Sequence, residues 1–332
     1  MNKLPALFAL LLILLAGPLA AQELRIATLA PDGSSWMNEL REAERRIAAA
    51  TEQRVRIRYY PGGVMGDASA VLRRMRLNQV QGGAFTVGDL AALTSAVNLY
   101  SLPFLFESEA DVQAIRAEFD PLIMAALADA GMVIPGLSLG GFAYLFGRES
   151  FPSPEQLSTS WRVWVPAGDE LSRRTLEAAG VSPVPLPLAD VYTSLQTGAI
   201  NTFASTPSAA IILQWHTRAR HMLDLPILMT AGTIGIDSRA LQRLAEADRE
   251  IVLKEFGQAL ERLEQVNQRD NESARQALME QGIRISAPSD EHAETWRRIA
   301  RDTRQRMIES GQIEVPNLDR MIDVLNRLHE AE

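Results

Sequence analysis

Residues 24–87, LRIATLAPDGSSWMNELREAERRIAAATEQRVRIRYYPGGVMGDASAVLRRMRLNQVQGGAFTV, decide the fold. Leu24–Leu29 (LRIATL) reads as a first strand. Pro31, Asp32 and Gly33 then turn the chain, and Ser34 or Ser35 caps a helix that runs to about Ala50. Val55–Tyr60 (VRIRYY) alternates and is rich in β-branched and aromatic residues, so it is a second strand, ended by Pro61-Gly62-Gly63. A helix over about Asp67–Asn78 and a buried strand at Gly83–Val87 complete β-α-β-α-β. Five elements in roughly sixty residues predict a parallel, doubly wound sheet.

Outward from there the pattern repeats. A helix is expected over Glu109–Ala130, strand-like runs at Met132–Leu137 and Phe142–Phe146, and a strand at Trp161–Val165 (WRVWV) after Pro152 and Pro154. A helix over Glu170–Ala179, a strand at Val181–Leu186, a short helix at Asp190–Thr197, a strand at Asn201–Ala204 and a helix over Pro207–Thr217 follow. The last third reads as largely helical: Leu241, Leu244, Ile251, Phe256, Leu260, Leu263 and Val266 recur at helical spacing. No solenoid period and no low-complexity linker separates the halves. Two α/β halves without a tether predict lobes joined by crossing strands, with a cleft at the carboxyl ends of their strands.

The first residues predict the compartment. Lys3 precedes an apolar run from Leu4 to Ala16, then Gly17, Pro18, Ala20 and Ala21, the parts of a secretory signal peptide cut near Ala21–Gln22. The run is too short to span a bilayer stably. With no cysteine, there is neither an N-terminal lipid anchor nor a disulfide framework. The expected location is the periplasm. At 47% hydrophobic residues the chain has ample material for a core, and a net charge of −8 argues against nucleic acid as a partner.

Gly136-Leu137-Ser138-Leu139-Gly140 matches G-x-S-x-G, but a nucleophile elbow needs a helix after the serine, and Gly141–Phe146 is strand-like. His216, His221, His292 and His329 form no H-E-x-x-H pattern, so a metal site has little support. Gly62–Asp67 (GGVMGD) could cradle an anion on its N–H groups, yet it lacks the spacing of a P-loop or dinucleotide site; a tight turn capped by Asp67 is favoured. Aromatic residues are scarce at 6%, and Trp36, Phe85, Trp164, Phe203 and Trp215 fall at strand ends or early in helices. They supply either an apolar wall for a ligand or ordinary core packing.

Leu24–Leu29 with Gly33–Trp36, Tyr60–Asp67 (YPGGVMGD), Leu102–Phe106 (LPFLF), Trp164–Pro166 and Val184–Gly198 (VPLPLADVYTSLQTG) resemble, in this order, one family. It is the DctP-like solute-binding subunits of tripartite ATP-independent periplasmic (TRAP) transporters. The resemblance implies two α/β lobes, a ligand cleft between them and a long bracing C-terminal helix. It also implies hinge closure around one small-molecule solute, delivery to the transporter's membrane subunits, no reaction and no cofactor. The lobes are expected at 23–144 plus 231–275 and at 145–230 plus 276–332.

One departure matters. Where most such proteins carry an arginine that forks onto a substrate carboxylate, this chain has Trp164, with Arg162 two residues earlier. A guanidinium grips carboxylate bidentately, whereas an indole offers stacking and one N–H. The segment Phe203–Pro207 (FASTP) also lacks the acidic or amide groups often found there. The expected solute is therefore a monocarboxylate or a relatively apolar molecule. The pocket is expected from Trp36, Gly63, Phe85 and Thr86 of the first lobe, and from Arg162, Trp164, Phe203, Ser205, Thr206, Gln214 and Trp215 of the second. Two alternatives stay open: a secreted serine hydrolase using Ser138, and a binding protein that works without a transporter.

Overall fold

The structure, a computed structural model, describes residues 21–330, so the expected leader, residues 1–22, lies outside the described residues except for its last two. β1 (Gln22–Ala27), β2 (Val55–Tyr60) and β3 (Gly82–Thr86) are parallel neighbours in the order β2-β1-β3. β2 buries Val55 and Ile57 and exposes Arg56 and Arg58, as its alternation requires. Between these strands run α1 (Ser35–Ala50), which buries Met37, Leu40, Ala43 and Ile47, and α2 (Ala68–Arg76). Ser34 caps α1 through the Met37 N–H, and Asp67 caps α2 through the Ala70 N–H.

The remaining elements are α3 (Glu109–Asp129), β4 (Met132–Val133), β5 (Ser138–Gly147), β6 (Arg162–Pro166), α4 (Glu170–Ala178) and β7 (Ser182–Leu186). After them come α5 (Val191–Thr197), β8 (Thr202–Ser205), α6 (Pro207–Ile212), β9 (His221–Asp237), α7 (Ser238–Gln242), α8 (Glu246–Glu280), β10 (Arg284–Ser286), α9 (Asp290–Glu309) and α10 (Leu318–His329). The strand order is β2-β1-β3-β9-β5-β8-β6-β7. β9 pairs antiparallel with β3 through Gly232–Ile236, and its start, His221–Leu223, pairs with the far end of β5. The end of β5 in turn pairs antiparallel with β8. β5 and β9 thus cross from one lobe to the other, and the sheet is mixed, not wholly parallel.

Three sequence expectations change. The second strand-like run extends back to Ser138, because Gly140 and Gly141 carry β5 through a register shift against β9. A Cβ on Gly140 would stand 2.4 Å from Thr230 Oγ1, so only glycine lets the two strands approach there. The helix expected to reach Thr217 stops at Ile212, because Gln214 is left-handed (φ 59°) and a 3₁₀ turn, Trp215–Arg218, follows. β9 was not foreseen at all.

α8 is the brace. Its 35 residues span about 50 Å at 1.5 Å per residue. Val252, Phe256, Leu260 and Leu263 join the core around Leu24, Ile26 and Met37, while Leu278 joins the second-lobe core around Phe146 and Phe203. α9 also passes between lobes. Ala293 and Trp296 pack with Leu145 and Val163, and Met307 packs with the first-lobe cluster. α10 lies wholly with the first lobe through Leu318, Met321 and Leu325, and Arg320 pairs with Glu118 of α3. The expected boundary placed all of 276–332 in the second lobe; the apolar face of α10 packs otherwise.

Candidate functional site

In the first lobe, the carboxyl ends of β1 and β3 and the start of α2 enclose a narrow pocket lined by Thr28, Leu29, Gly66, Ala68, Phe85 and Asp89. The glycine loop is folded onto it. Gly62 N–H donates to Ala30 O and Gly63 N–H to Thr28 O, each at 3.0 Å, and Gly66 N–H donates to Gly63 O at 2.8 Å. Those N–H groups are used within the fold, so the loop is the capped turn and not a free anion cradle. A Cβ on Gly63 would come within 3.1 Å of Leu29 Cδ2.

Thr86 N–H donates to Asp89 Oδ2 at 2.9 Å, and Asp89 N–H donates to Thr86 Oγ1 at 3.3 Å. Burial pushes the Asp89 carboxyl up, against the lowering effect of the Thr86 bonds. Phe85 is buried against Gly83 and Val71. Trp36 lies against β9, where a Cβ on Gly232 would stand 2.9 Å from its ring. Sequence reasoning missed Thr28 and Asp89; their position just past strand ends is the signal that could have found them.

In the second lobe the aromatic residues come together. Trp164, only 7% exposed, donates its indole N–H to Leu186 O at 3.0 Å. It meets Trp215 edge-on at 5.1 Å, Trp215 meets Phe203 edge-on at 5.4 Å, and Phe203 stacks on Phe146 at 5.1 Å. This is a packed aromatic core beneath the carboxyl ends of β6 and β8, and the indole N–H has no donor left for a ligand. Ser205 Oγ donates to Thr206 O at 3.0 Å, and Thr206 Oγ1 caps α6 by accepting from Ala209 N–H. Gln214 is exposed beyond the far end of α6, a helix about 9 Å long that starts just after Thr206. Arg162 donates to Gly198 O through Nε and Nη2, at 3.2 and 2.9 Å, at the opposite end of β6 from Pro166.

Ser138 does not sit on an elbow. It is fully buried within β5 opposite Gly232, its hydroxyl has no partner, and strand follows it. The hydrolase alternative falls on that geometry.

A larger hollow of about 410 Å³ lies where α3, β5, α6 and α8 meet, bounded by Glu109, Phe142, Tyr144, Pro207 and Arg275. Its charges are largely matched: Arg275 pairs with Asp224 (Nη1–Oδ1 3.0 Å), and Gln268 donates to Glu109 at 3.2 Å. Among the described residues no helix is long and apolar enough to cross a membrane, and no group of three or more His, Asp or Glu is placed to hold a metal.

Two lobes joined by crossing strands, braced by one long helix and facing each other across strand ends define a solute-binding protein of the hinged, two-lobed class. The DctP profile, bacterial extracellular solute-binding protein family 7, matches residues 26–310, and this chain belongs to that family. It is 22% identical over 257 residues to a solute-binding protein of Chromohalobacter salexigens, covering 75% of this chain and 74% of that one. Among solved structures it is similar to a sugar acid binding protein of Advenella mimigardefordensis in complex with galactonate. That match has a TM-score of 0.85 and 13% identity, and covers 92% of this chain and 98% of the other. A TRAP periplasmic solute-binding protein of Ralstonia eutropha with bound (S)-2-acetolactate matches with a TM-score of 0.84 and 18% identity, over 92% and 99% of the two chains. Another from Roseobacter denitrificans, with bound β-D-glucuronate, gives 0.83 and 18%, again over 92% and 99%.

Proposed function

We propose that this protein is the periplasmic solute-binding subunit of a TRAP transporter, that it captures a monocarboxylate with a substantial apolar body, and that it catalyses no reaction. It hands the solute to the transporter's membrane subunits. The observation that carries the solute class is that β6 offers no free donor at the cleft end: the Trp164 indole N–H is spent on Leu186 O, and Arg162 is tied to Gly198 O. A second lobe that presents so few donors favours a solute whose charge is confined to one end. The ligands of the similar proteins, galactonate, glucuronate and acetolactate, each carry one carboxylate, which supports a single charged end; the two sugar acids are rich in hydroxyls and lend no support to an apolar body. Trp36, Gly63, Phe85 and Thr86 remain the pocket residues proposed for the first lobe. Ser205 and Thr206 remain those proposed at the carboxyl end of β8, and Gln214, beyond the far end of α6, does not join them.

A thermal-shift screen tests this reading. A ligand that binds only the folded chain at roughly 100 times its Kd adds about 2.7 kcal/mol of stability. Monocarboxylates should raise the melting temperature while succinate and other dicarboxylates should not. A dicarboxylate as the strongest hit would overturn the solute class.

A further inference from the structure

Arg304 lies on the buried face of α9 with 9% of its surface exposed. It makes no side-chain hydrogen bond or ion pair with any described residue. Burial, and then the charge of Arg301 three residues back, both push its pKa down. A guanidinium carries five donors, and leaving them unmatched away from bulk water is costly. The sealed side-chain atoms without a hydrogen bond among the described residues include Thr175 Oγ1 and Arg218 Nε but no nitrogen of Arg304, so water reaches its tip. It is a shielded cation with an open end.

Its place in the fold follows from its neighbours. Trp296, Ala300, Arg304 and Met307 form one buried stripe along α9. Trp296 belongs to the second-lobe cluster with Leu145 and Val163, and Met307 to the first-lobe cluster with Phe85 and Leu102. Arg304 therefore sits where α9 passes from one lobe to the other. α4 packs beside α9 and runs antiparallel to it. Ala179, just past the end of α4, shares the cluster of Ala293 and Trp296, while Leu171 in its first turn shares that of Met307. That first turn follows directly on Pro166–Gly168, the carboxyl end of β6. Arg304 is thus level with the cleft end of the second lobe. One turn along α4 from Leu171, Thr175 is also buried, with a hydroxyl that has no partner.

We propose that Arg304 binds the carboxylate of the solute. It takes the part that the indole of Trp164 and an Arg162 tied to Gly198 leave vacant on β6. The proposal rests on the monocarboxylate reading above and names the residue that would make it work. A guanidinium at the crossing between lobes gains its partner when the lobes close on a ligand, which ties recognition to closure.

The test uses the full secreted chain, stripped of bound ligand by unfolding and refolding, with Arg304→Met and Arg304→Lys made alongside. D-galactonate, D-glucuronate, pyruvate and 4-hydroxybenzoate are titrated by calorimetry and thermal shift, each against its uncharged amide. At least one acid should bind the wild type, and its amide should bind far less. Arg304→Met should weaken that acid about 30-fold or more, as truncating a buried charge partner does. Arg304→Lys should retain part of the affinity. Ligand-free Arg304→Met should melt no lower than the wild type, because it loses a charge that has no partner. A role in packing alone would lower that melting temperature. Acid affinity within about twofold of wild type in Arg304→Met overturns the proposal. If the wild type binds amides as well as acids, or only amides, Arg304 is not the grip and the solute-binding reading stands. If neither acids nor amides bind, the monocarboxylate reading falls and the proposal with it.

Discussion

Two helices pass between the lobes, and they treat their charges differently. Along α8, Asp248 pairs with Arg54, Glu255 with Arg46, Arg262 with Glu39, Glu264 with Arg116 and Arg275 with Asp224. Asn267 and Asn271 donate to the carbonyls of Leu139 and Gly140, on the stretch of β5 that has no strand neighbour on that side. Those bonds replace a missing ladder, so α8 acts as both a brace and an edge cover. α9 makes the same crossing with Arg304 unmatched. Charges paired with an opposite charge along α8 favour one geometry, whereas a cation with no partner on α9 has none to hold it.

The largest effect expected from breaking this contrast is at Glu264. Its carboxylate accepts from Arg116 Nη1 at 2.7 Å, Gln113 Nε2 at 2.9 Å and Leu139 N–H at 3.0 Å. Glu264→Ala leaves the Leu139 amide without its acceptor and Arg116 with Asp120 and Leu137 O alone. A loss of about 2–4 kcal/mol is expected from urea denaturation, since both a buried amide and a largely buried cation lose a partner. Glu264→Gln keeps an acceptor for Leu139 and should lose less. A loss below about 1 kcal/mol for Glu264→Ala would put the pair in the class of weak surface bridges and remove the contrast.

The next effect is at the crossing itself. Asn271 Oδ1 accepts from Ser208 N–H and Oγ, at 3.1 and 2.7 Å, while its Nδ2 donates to Gly140 O at 2.7 Å. One side chain thus ties α6 of the second lobe to the crossing strand. Asn271→Ala should cost about 1–3 kcal/mol. Gly141 has φ 97°, and a Cβ there would stand 2.3 Å from Asn271 Nδ2. Gly141→Ala should therefore destabilise more in the wild type than in the Asn271→Ala background, where the clash is gone and only backbone strain remains. Equal costs in both backgrounds would show that Asn271 moves aside freely and does not lock the hinge.

The first lobe was legible because its signals agree: the alternation in Val55–Tyr60, the Ser34 and Asp67 caps and the turn glycines all point to one pairing. β9 was not, because a strand buried on both faces shows no alternation, and Pro226, Gly232 and Gly235 interrupt what remains. The aromatic residues were recognisable as a group, but whether Trp164 faces ligand or core depends on Leu186 O, a partner 22 residues away. The Arg162 guanidinium is likewise decided by Gly198 O. Arg304 was hidden in the arginine-rich segment Trp296–Arg306. Only its phase with Trp296 and Ala300 sets it apart from Arg297, Arg298, Arg301 and Arg306.

The smallest effect concerns what fixes the far end of this C-terminal region to the first lobe. Asp111 is buried at the start of α3, where its carboxylate accepts from Glu107 N–H at 2.7 Å and Ser108 N–H at 3.1 Å and meets His329 Nε2 of α10 at 3.0 Å. Burial is the strongest single influence and pushes its pKa up. The bonds from His329, Glu107 and Ser108 together outweigh burial and hold the carboxyl below its ordinary value. A folded pKa below the unfolded one stabilises the native state fully above the unfolded pKa. That contribution is lost as pH falls through the folded value. The wild type should therefore lose more stability than Asp111→Asn between pH 6 and pH 3. The measurement is the urea midpoint of each chain at the two pH values, where carboxylates common to both cancel. Equal acid losses would mean that α10 is held by Leu318, Met321 and Leu325 and by the Arg320–Glu118 pair, with no contribution from Asp111.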